Sequence, residues 1–132
     1  MAIVLWFSKR RYEAILLASS VITASIVVYL LKMAVGRERP ALWDTEWYWG
    51  SSFPSGHTLV FAAFATATVI CIGRLWPAAH KVALVAGLSG VVLVGLSRLV
   101  LGVHWPTDVL AAACIGMFLP LAINVALEIR QA

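Results

Sequence analysis

The sequence predicts an all-α polytopic membrane protein, a bundle of four spanning helices with a short apolar stub at the N-terminus. Composition is the first indication: 62% of the 132 residues are apolar and 12% are charged, against about 45–50% and about 25% in soluble domains. The second indication is the presence of four apolar stretches of membrane length. The length allows one domain, so residues 1–132 are predicted to form a single membrane-embedded unit.

The four stretches, with their flanks, are long enough to cross a hydrocarbon core of about 30 Å. We predict helices over about 14–31, 57–76, 82–101 and 107–127. The last contains Pro120, which is expected to kink it, as membrane helices tolerate. Residues 1–7 would rise only about 10 Å as a helix and cannot span, so they are predicted to be an interfacial stub or the remnant of a further helix.

The charged residues indicate an orientation rather than a nucleic-acid partner. The net charge of +4 comes from basic residues scattered between apolar runs, without a basic stripe and interleaved aromatics. Alternating passes place six of them on one side, which the positive-inside rule directs to the cytoplasm: Lys9, Arg10, Arg11, Arg74, Lys81 and Arg130. The opposite side carries an aromatic and acidic segment suited to the headgroup layer: Trp43, Asp44, Glu46, Trp47, Tyr48 and Trp49.

Three segments place polar residues at helix ends. Lys32 closes the first helix and Arg39 follows it, although a lysine there usually just reaches toward the interface. Ser55, Gly56 and His57 precede or begin the second helix. Ser55 there is either an ordinary N-cap or part of an anion site, since a helix start offers unpaired N–H groups to an anion.

The third segment joins the third and fourth helices. Arg98 lies close to a membrane helix interior, where a charge is costly and indicates function. His104 and Asp108 are four residues apart, so a helix that starts near the histidine would let the carboxylate hold one imidazole nitrogen. The alternative is that Thr107 and Asp108 merely cap the helix.

Alternating passes bring all of these residues to one membrane level. Scattered interfacial side chains would have occupied both sides, so convergence indicates a site. The cations Lys32, Arg39 and Arg98 suit a tetrahedral oxyanion such as phosphate. A histidine held by a carboxylate is a nucleophile or base, and a second histidine can protonate a leaving oxygen. The spacing of His, Cys, Asp and Glu matches no transition-metal site, so no metal or other cofactor is expected.

Three motifs together resemble the type 2 phosphatidic acid phosphatase superfamily. They are K-x6-R-P at 32–40, P-S-G-H at 54–57 and S-R-x5-H-x3-D at 97–108. The resemblance implies that His104 is the nucleophile of a phosphohistidine mechanism, that Asp108 orients it and that His57 is the general acid. It further implies phosphoryl-oxygen binding by five residues: Lys32, Arg39, Ser55, Gly56 and Arg98. Membrane members commonly have six helices, so we expect either a short member or a chain that lacks its first helices.

At headgroup level the expected substrate is a membrane lipid phosphate or diphosphate, which arrives by lateral diffusion. An outward-facing site favours an undecaprenyl diphosphate-like carrier, followed by phosphatidylglycerophosphate, phosphatidate or lipid A. The predicted location is a bacterial inner membrane, with the site on the extracytoplasmic face. Two alternatives stay open: a phosphatase or phosphotransferase for a small soluble phosphate, and a non-catalytic anion-binding or transport protein.

Overall fold

The computed structural model describes Ile3, residues 10–40, Leu42 and residues 50–130. These residues form four α-helices and a short 3-10 turn at Pro77–Ala79: α1 (Arg11–Val35), α2 (Gly56–Leu75), α3 (His80–Val100) and α4 (Pro106–Ile129). All four are long and apolar enough to cross a membrane. The predicted all-α bundle with four spanning helices is therefore confirmed. The N-terminal stub, apart from Ile3, and the aromatic segment 43–49 lie outside the described residues.

Helices α2 to α4 begin and end within two residues of the predicted bounds, whereas α1 is longer at both ends. At its start Glu13 is buried, 6% exposed, and lies 3.9 Å from Arg74 on α2. A charged residue with a tertiary partner can extend a helix beyond the apolar run on which the prediction rested. At its end, Gly36 adopts φ +61°, the left-handed conformation that commonly terminates helices.

Helix α2 packs against each of the other three helices and forms the centre of the bundle. Its buried positions are small residues, among them Ala62, Ala63 and Ala67, which allow close helix approach. Gly116 of α4 makes the tightest approach, because a Cβ at this position would lie 2.4 Å from the Leu59 carbonyl oxygen. The close α2–α4 contact brings the N-termini of both helices to the same end of the bundle.

The opposite end is tied by Arg74, near the end of α2. Its Nη1 lies 3.2 Å from Glu128 of α4, and its guanidinium carbon lies 4.0 Å from the centroid of the Tyr12 ring on α1. This network joins α1, α2 and α4 far from the converging motifs. Helix α3 is the least buried of the four, with apolar exposed side chains suited to lipid.

Candidate active site

A cavity of about 780 Å³ opens at the end of the bundle where α2 and α4 begin. Six of the eight residues predicted for the site line it: Lys32, Arg39, Gly56, His57, Arg98 and His104. They come from three helices and two connecting segments. The other two, Ser55 and Asp108, are fully buried and lie outside the lining. The topology therefore brings three cations and both motif histidines to one volume.

Oxygen atoms around the cavity hold the three cations. Lys32 Nζ donates to the carbonyl of Ser51, and Arg39 Nη1 donates to the carbonyl of Val103 at 2.8 Å. Arg98 Nε donates to the hydroxyl of the preceding serine at 3.1 Å. Cations fixed around one volume suit an anion that carries several charged oxygens.

The start of α2 contributes main-chain groups to the cavity, whereas the Ser55 side chain does not line it. Ser55 occupies the N-cap position, but its hydroxyl lies 2.9 Å from Thr58 Oγ1 and its N–H donates to the Asp108 carbonyl at 3.3 Å. The Ser55 side chain, predicted to bind phosphate, is thus placed in the core because Thr58 offers it a partner. Gly56 and His57 line the cavity, and the first N–H groups of a helix have no intrahelical acceptor.

His104 lies in the connection before α4, almost fully buried. Its Nδ1 lies 2.7 Å from the carbonyl oxygen of Ser52. Because a carbonyl only accepts, Nδ1 must carry the proton, and Nε2 is left with the lone pair. Burial lowers the pKa of His104 to about 4 from its ordinary 6.5, and the charges of Arg39 and Lys32 act in the same direction. The ring is therefore neutral near pH 7, and its unprotonated nitrogen is Nε2.

The expected hydrogen bond between Asp108 and His104 is replaced by other contacts. Helix α4 begins at Pro106, after the histidine, so the two residues do not share a helical face. Asp108 Oδ2 accepts from the Trp105 N–H at 2.9 Å and lies 3.7 Å from His104 Nδ1, beyond hydrogen-bonding distance. The carboxylate caps α4, as the alternative interpretation held, and acts on His104 only through space.

Two residues near His104 escaped the sequence analysis. Arg37 Nη1 donates to Asp108 Oδ1 at 2.8 Å, and Ser52 provides the acceptor for His104. One sequence feature pointed to Arg37, its position two residues before the arginine of the first motif. No sequence feature could indicate the Ser52 contact, because every residue type has the same main-chain carbonyl.

No metal-binding group of three or more His, Cys, Asp or Glu side chains occurs within Ile3, 10–40, Leu42 and 50–130. Cys71 is buried and Cys114 is exposed, and neither forms a disulfide. Neither cysteine lines the cavity. The described residues place cationic side chains, imidazoles and the start of α2 at the cavity.

Comparison with known proteins identifies related chains. Phosphatidylglycerophosphatase B of Escherichia coli (strain K12) is 39% identical over 67 residues, 51% of this chain and 25% of that protein. Lipid A 1-phosphatase of Rhizobium etli is 30% identical over 110 residues, 76% of this chain and 44% of that protein. Undecaprenyl-diphosphatase of Sulfolobus acidocaldarius is 28% identical over 125 residues, 89% of this chain and 57% of that protein.

The fold also matches a solved structure, that of a transmembrane PAP2 type phosphatidylglycerolphosphate phosphatase from Bacillus subtilis. The TM-score is 0.84 at 25% identity, over 98% of this chain and 65% of that one. This chain therefore spans between a quarter and two thirds of the length of the relatives named here. The family model of the PAP2 superfamily matches residues 13–131. With nearly the whole chain matched, this integral membrane protein belongs to the PAP2 superfamily.

Proposed function

We propose that this chain hydrolyses a phosphate monoester or diphosphate of a membrane lipid through a phosphohistidine intermediate, without a metal ion. The observation that carries the proposal is the shape of the cavity, which joins a cationic end to a long apolar groove. On α1 its lining follows one helical face, Val21, Ser25, Val28 and Lys32. At 1.5 Å per residue this face runs about 16 Å below the cations, enough for a dozen methylene groups.

We infer that a lipid enters the groove between α1 and α3. Helices α1 and α3 both line it, with α2 between them, and over the described residues α1 and α3 do not pack against each other. Phe61 and Phe64 of α2 add further apolar side chains to the lining. A chain could lie between α1 and α3 while its phosphate sits among the cations. A small soluble phosphate would leave this apolar surface uncovered.

In the proposed first step, Nε2 of His104 attacks phosphorus, forming a P–N bond as the bond to the leaving oxygen breaks. His57 gives that oxygen a proton. The charge that develops on the phosphoryl oxygens is stabilised by the cations and the helix N–H groups at Gly56. In the second step water attacks the phosphohistidine, His57 takes its proton and His104 is released neutral.

Asp108 is proposed to stabilise the imidazolium that forms in the first step. The ring becomes positively charged when Nε2 binds phosphorus, while Nδ1 keeps its proton against the Ser52 carbonyl. A carboxylate 3.7 Å away favours that charge without taking the proton. This differs from the direct orientation expected from the motif.

The substrate class follows from the groove and the relatives together. All four relatives described above are named for a phosphate or diphosphate group on a lipid: two for phosphatidylglycerophosphate, one for lipid A and one for undecaprenyl diphosphate. A polyprenyl diphosphate is the proposed first substrate, and phosphatidylglycerophosphate or phosphatidate the second. The site is proposed to face the extracytoplasmic side of a bacterial inner membrane, because the opposite end carries Arg10, Arg11, Arg74, Lys81 and Arg130.

The test compares H104Q with H80Q in purified protein in detergent. His80 begins α3 at the end of the bundle remote from the cavity, so it is a matched control. Phosphate release from a polyprenyl diphosphate should stop in H104Q, persist in H80Q and persist in chelator. Turnover by H104Q would contradict the nucleophile, and loss in chelator would contradict metal independence.

Two further measurements separate the alternative functions, and a third tests the orientation in the membrane. Hydrolysis of a small soluble phosphate ester at a rate equal to or higher than that of the polyprenyl diphosphate would favour a phosphatase for soluble substrates. Phosphate binding with no turnover of any ester would favour a non-catalytic anion site. For orientation, a cysteine introduced at Leu42 should react with an impermeant reagent from outside intact cells, and labelling only after lysis would reverse the proposed topology.

A further inference from the structure

Arg37 lies in the connection that follows Gly36, between α1 and the start of α2. It does not line the cavity, and its side chain is 39% exposed. Two independent sets of contacts nevertheless join it to His104, one through its main chain and one through its guanidinium.

The first set passes through Ser52. The carbonyl of Arg37 accepts from the Ser52 N–H at 2.8 Å, and the Ser51 hydroxyl donates to the same carbonyl at 3.3 Å. Ser52 is fully buried, and its own carbonyl accepts the His104 Nδ1 proton. The residue that sets the imidazole tautomer is thus held by the Arg37 main chain.

The second set passes through Asp108. Arg37 Nη1 donates at 2.8 Å to Asp108 Oδ1 and at 2.8 Å to the Thr107 hydroxyl. The guanidinium carbon lies 5.5 Å from the centroid of the Trp105 ring, within cation–π range. Arg37 therefore contacts three of the four residues that lead from His104 into the first turn of α4.

Asp108 needs this partner, because its side chain has no exposed surface and a buried carboxylate without a counter-charge is strongly disfavoured. Without Arg37, Oδ1 of the carboxylate would lose its partner, and the carboxylate would rotate toward His104 Nδ1, which lies 3.7 Å from Oδ2. Rotation would pull the ring away from the Ser52 carbonyl.

We propose that Arg37 is a positioning residue for phosphoryl transfer. Its guanidinium holds the Asp108 carboxylate away from His104, while its main chain fixes the Ser52 carbonyl that selects the reactive tautomer. This inference rests on the proposed function. It assigns Arg37 no contact with substrate, so loss of its side chain slows the chemical step and leaves substrate affinity unchanged.

The kinetic test uses R37Q and R37K, with R74Q as control. Arg74 also combines a carboxylate contact with an aromatic ring and a similarly exposed side chain, but at the opposite end of the bundle. For a polyprenyl diphosphate, kcat should fall by at least about tenfold in R37Q, with KM changed less than about twofold. R37K should recover most of the lost kcat, and R74Q should match the wild type. A raised KM in R37Q would indicate that Arg37 binds substrate. A fall in kcat no larger than that in R74Q would contradict the proposal.

A double-mutant cycle with D108N tests the route. If Arg37 acts through Asp108, kcat of R37Q/D108N should equal that of D108N within about twofold. If R37Q lowers kcat as much in the D108N background as it does in the wild type, the proposal is overturned. Removing both charges also avoids a buried unpaired carboxylate, so this comparison holds even where R37Q alone does not fold.

A measurement without turnover separates this inference from the proposed function. ¹⁵N NMR of labelled histidine, with His104 assigned from H104Q, should show a single Nδ1–H tautomer in the wild type and a shifted or mixed state in R37Q. An unchanged His104 spectrum in R37Q would overturn the inference, whether or not the wild type releases phosphate. Absence of phosphate release with the expected spectral change would instead reject the proposed function alone.

Discussion

The protonation state of His104 is the most direct test of the site. The pKa of this histidine should be about 4 rather than 6.5. Burial is the main cause, and repulsion by Arg39 and Lys32 adds to it, while the Ser52 carbonyl and the Asp108 carboxylate act in the opposite direction. A difference of about 2.5 units corresponds to about 3 kcal/mol at about 1.4 kcal/mol per unit.

The direction of the pKa change determines how the free energy of unfolding depends on pH. The folded pKa lies below the unfolded one, so both states are neutral above about pH 6.5. Between pH 6.5 and 4 only the unfolded chain binds a proton, and the free energy of unfolding should fall by about 3 kcal/mol over that window. Nucleophilic Nε2 should likewise remain available down to about pH 4 and be lost below it.

The assay is an NMR titration of ¹³C- and ¹⁵N-labelled histidine in detergent, without phosphate, with the His104 resonance assigned from H104Q. K32Q removes one repelling charge and should raise the His104 pKa. K81Q removes a lysine at the opposite end of the bundle and should leave the pKa unchanged. A wild-type midpoint at or above 6.5 would refute the reasoning, as would equal responses to K32Q and K81Q.

Two further predictions concern the groove and the helix contact that supports it. Ser25 lines the groove about halfway along α1, so S25F should raise KM for a long polyprenyl diphosphate several-fold relative to a short-chain one. An unchanged ratio of the two KM values would contradict binding of the lipid chain in the groove. G116A should lower the free energy of unfolding by about 1–3 kcal/mol, because the new Cβ would lie 2.4 Å from the Leu59 carbonyl oxygen. The control is G87A, where the nearest atom is a Val69 methyl at 3.3 Å, and equal stability losses in denaturant titrations would show that the α2–α4 approach is not limiting.

The sequence by itself determined the helices and the end of the bundle at which the site lies. A hydrocarbon core admits only segments whose main-chain groups are internally paired, so apolar runs of sufficient length become spanning helices. Successive helices must alternate in direction. Residues at the end of one helix and the start of the next, such as Lys32 and His57, therefore meet at one membrane level whatever the details of packing.

Only the tertiary structure decided which groups touch within that site. The motif suggested that Asp108 would hold His104, but helix α4 starts after the histidine, and the carboxylate binds Arg37 and the Trp105 N–H instead. Ser55 likewise turns to Thr58 rather than to the cavity. Hydrogen-bond partners change with shifts of less than 1 Å between segments far apart in the chain. Such shifts depend on how all four helices pack, which no local pattern of residue types encodes.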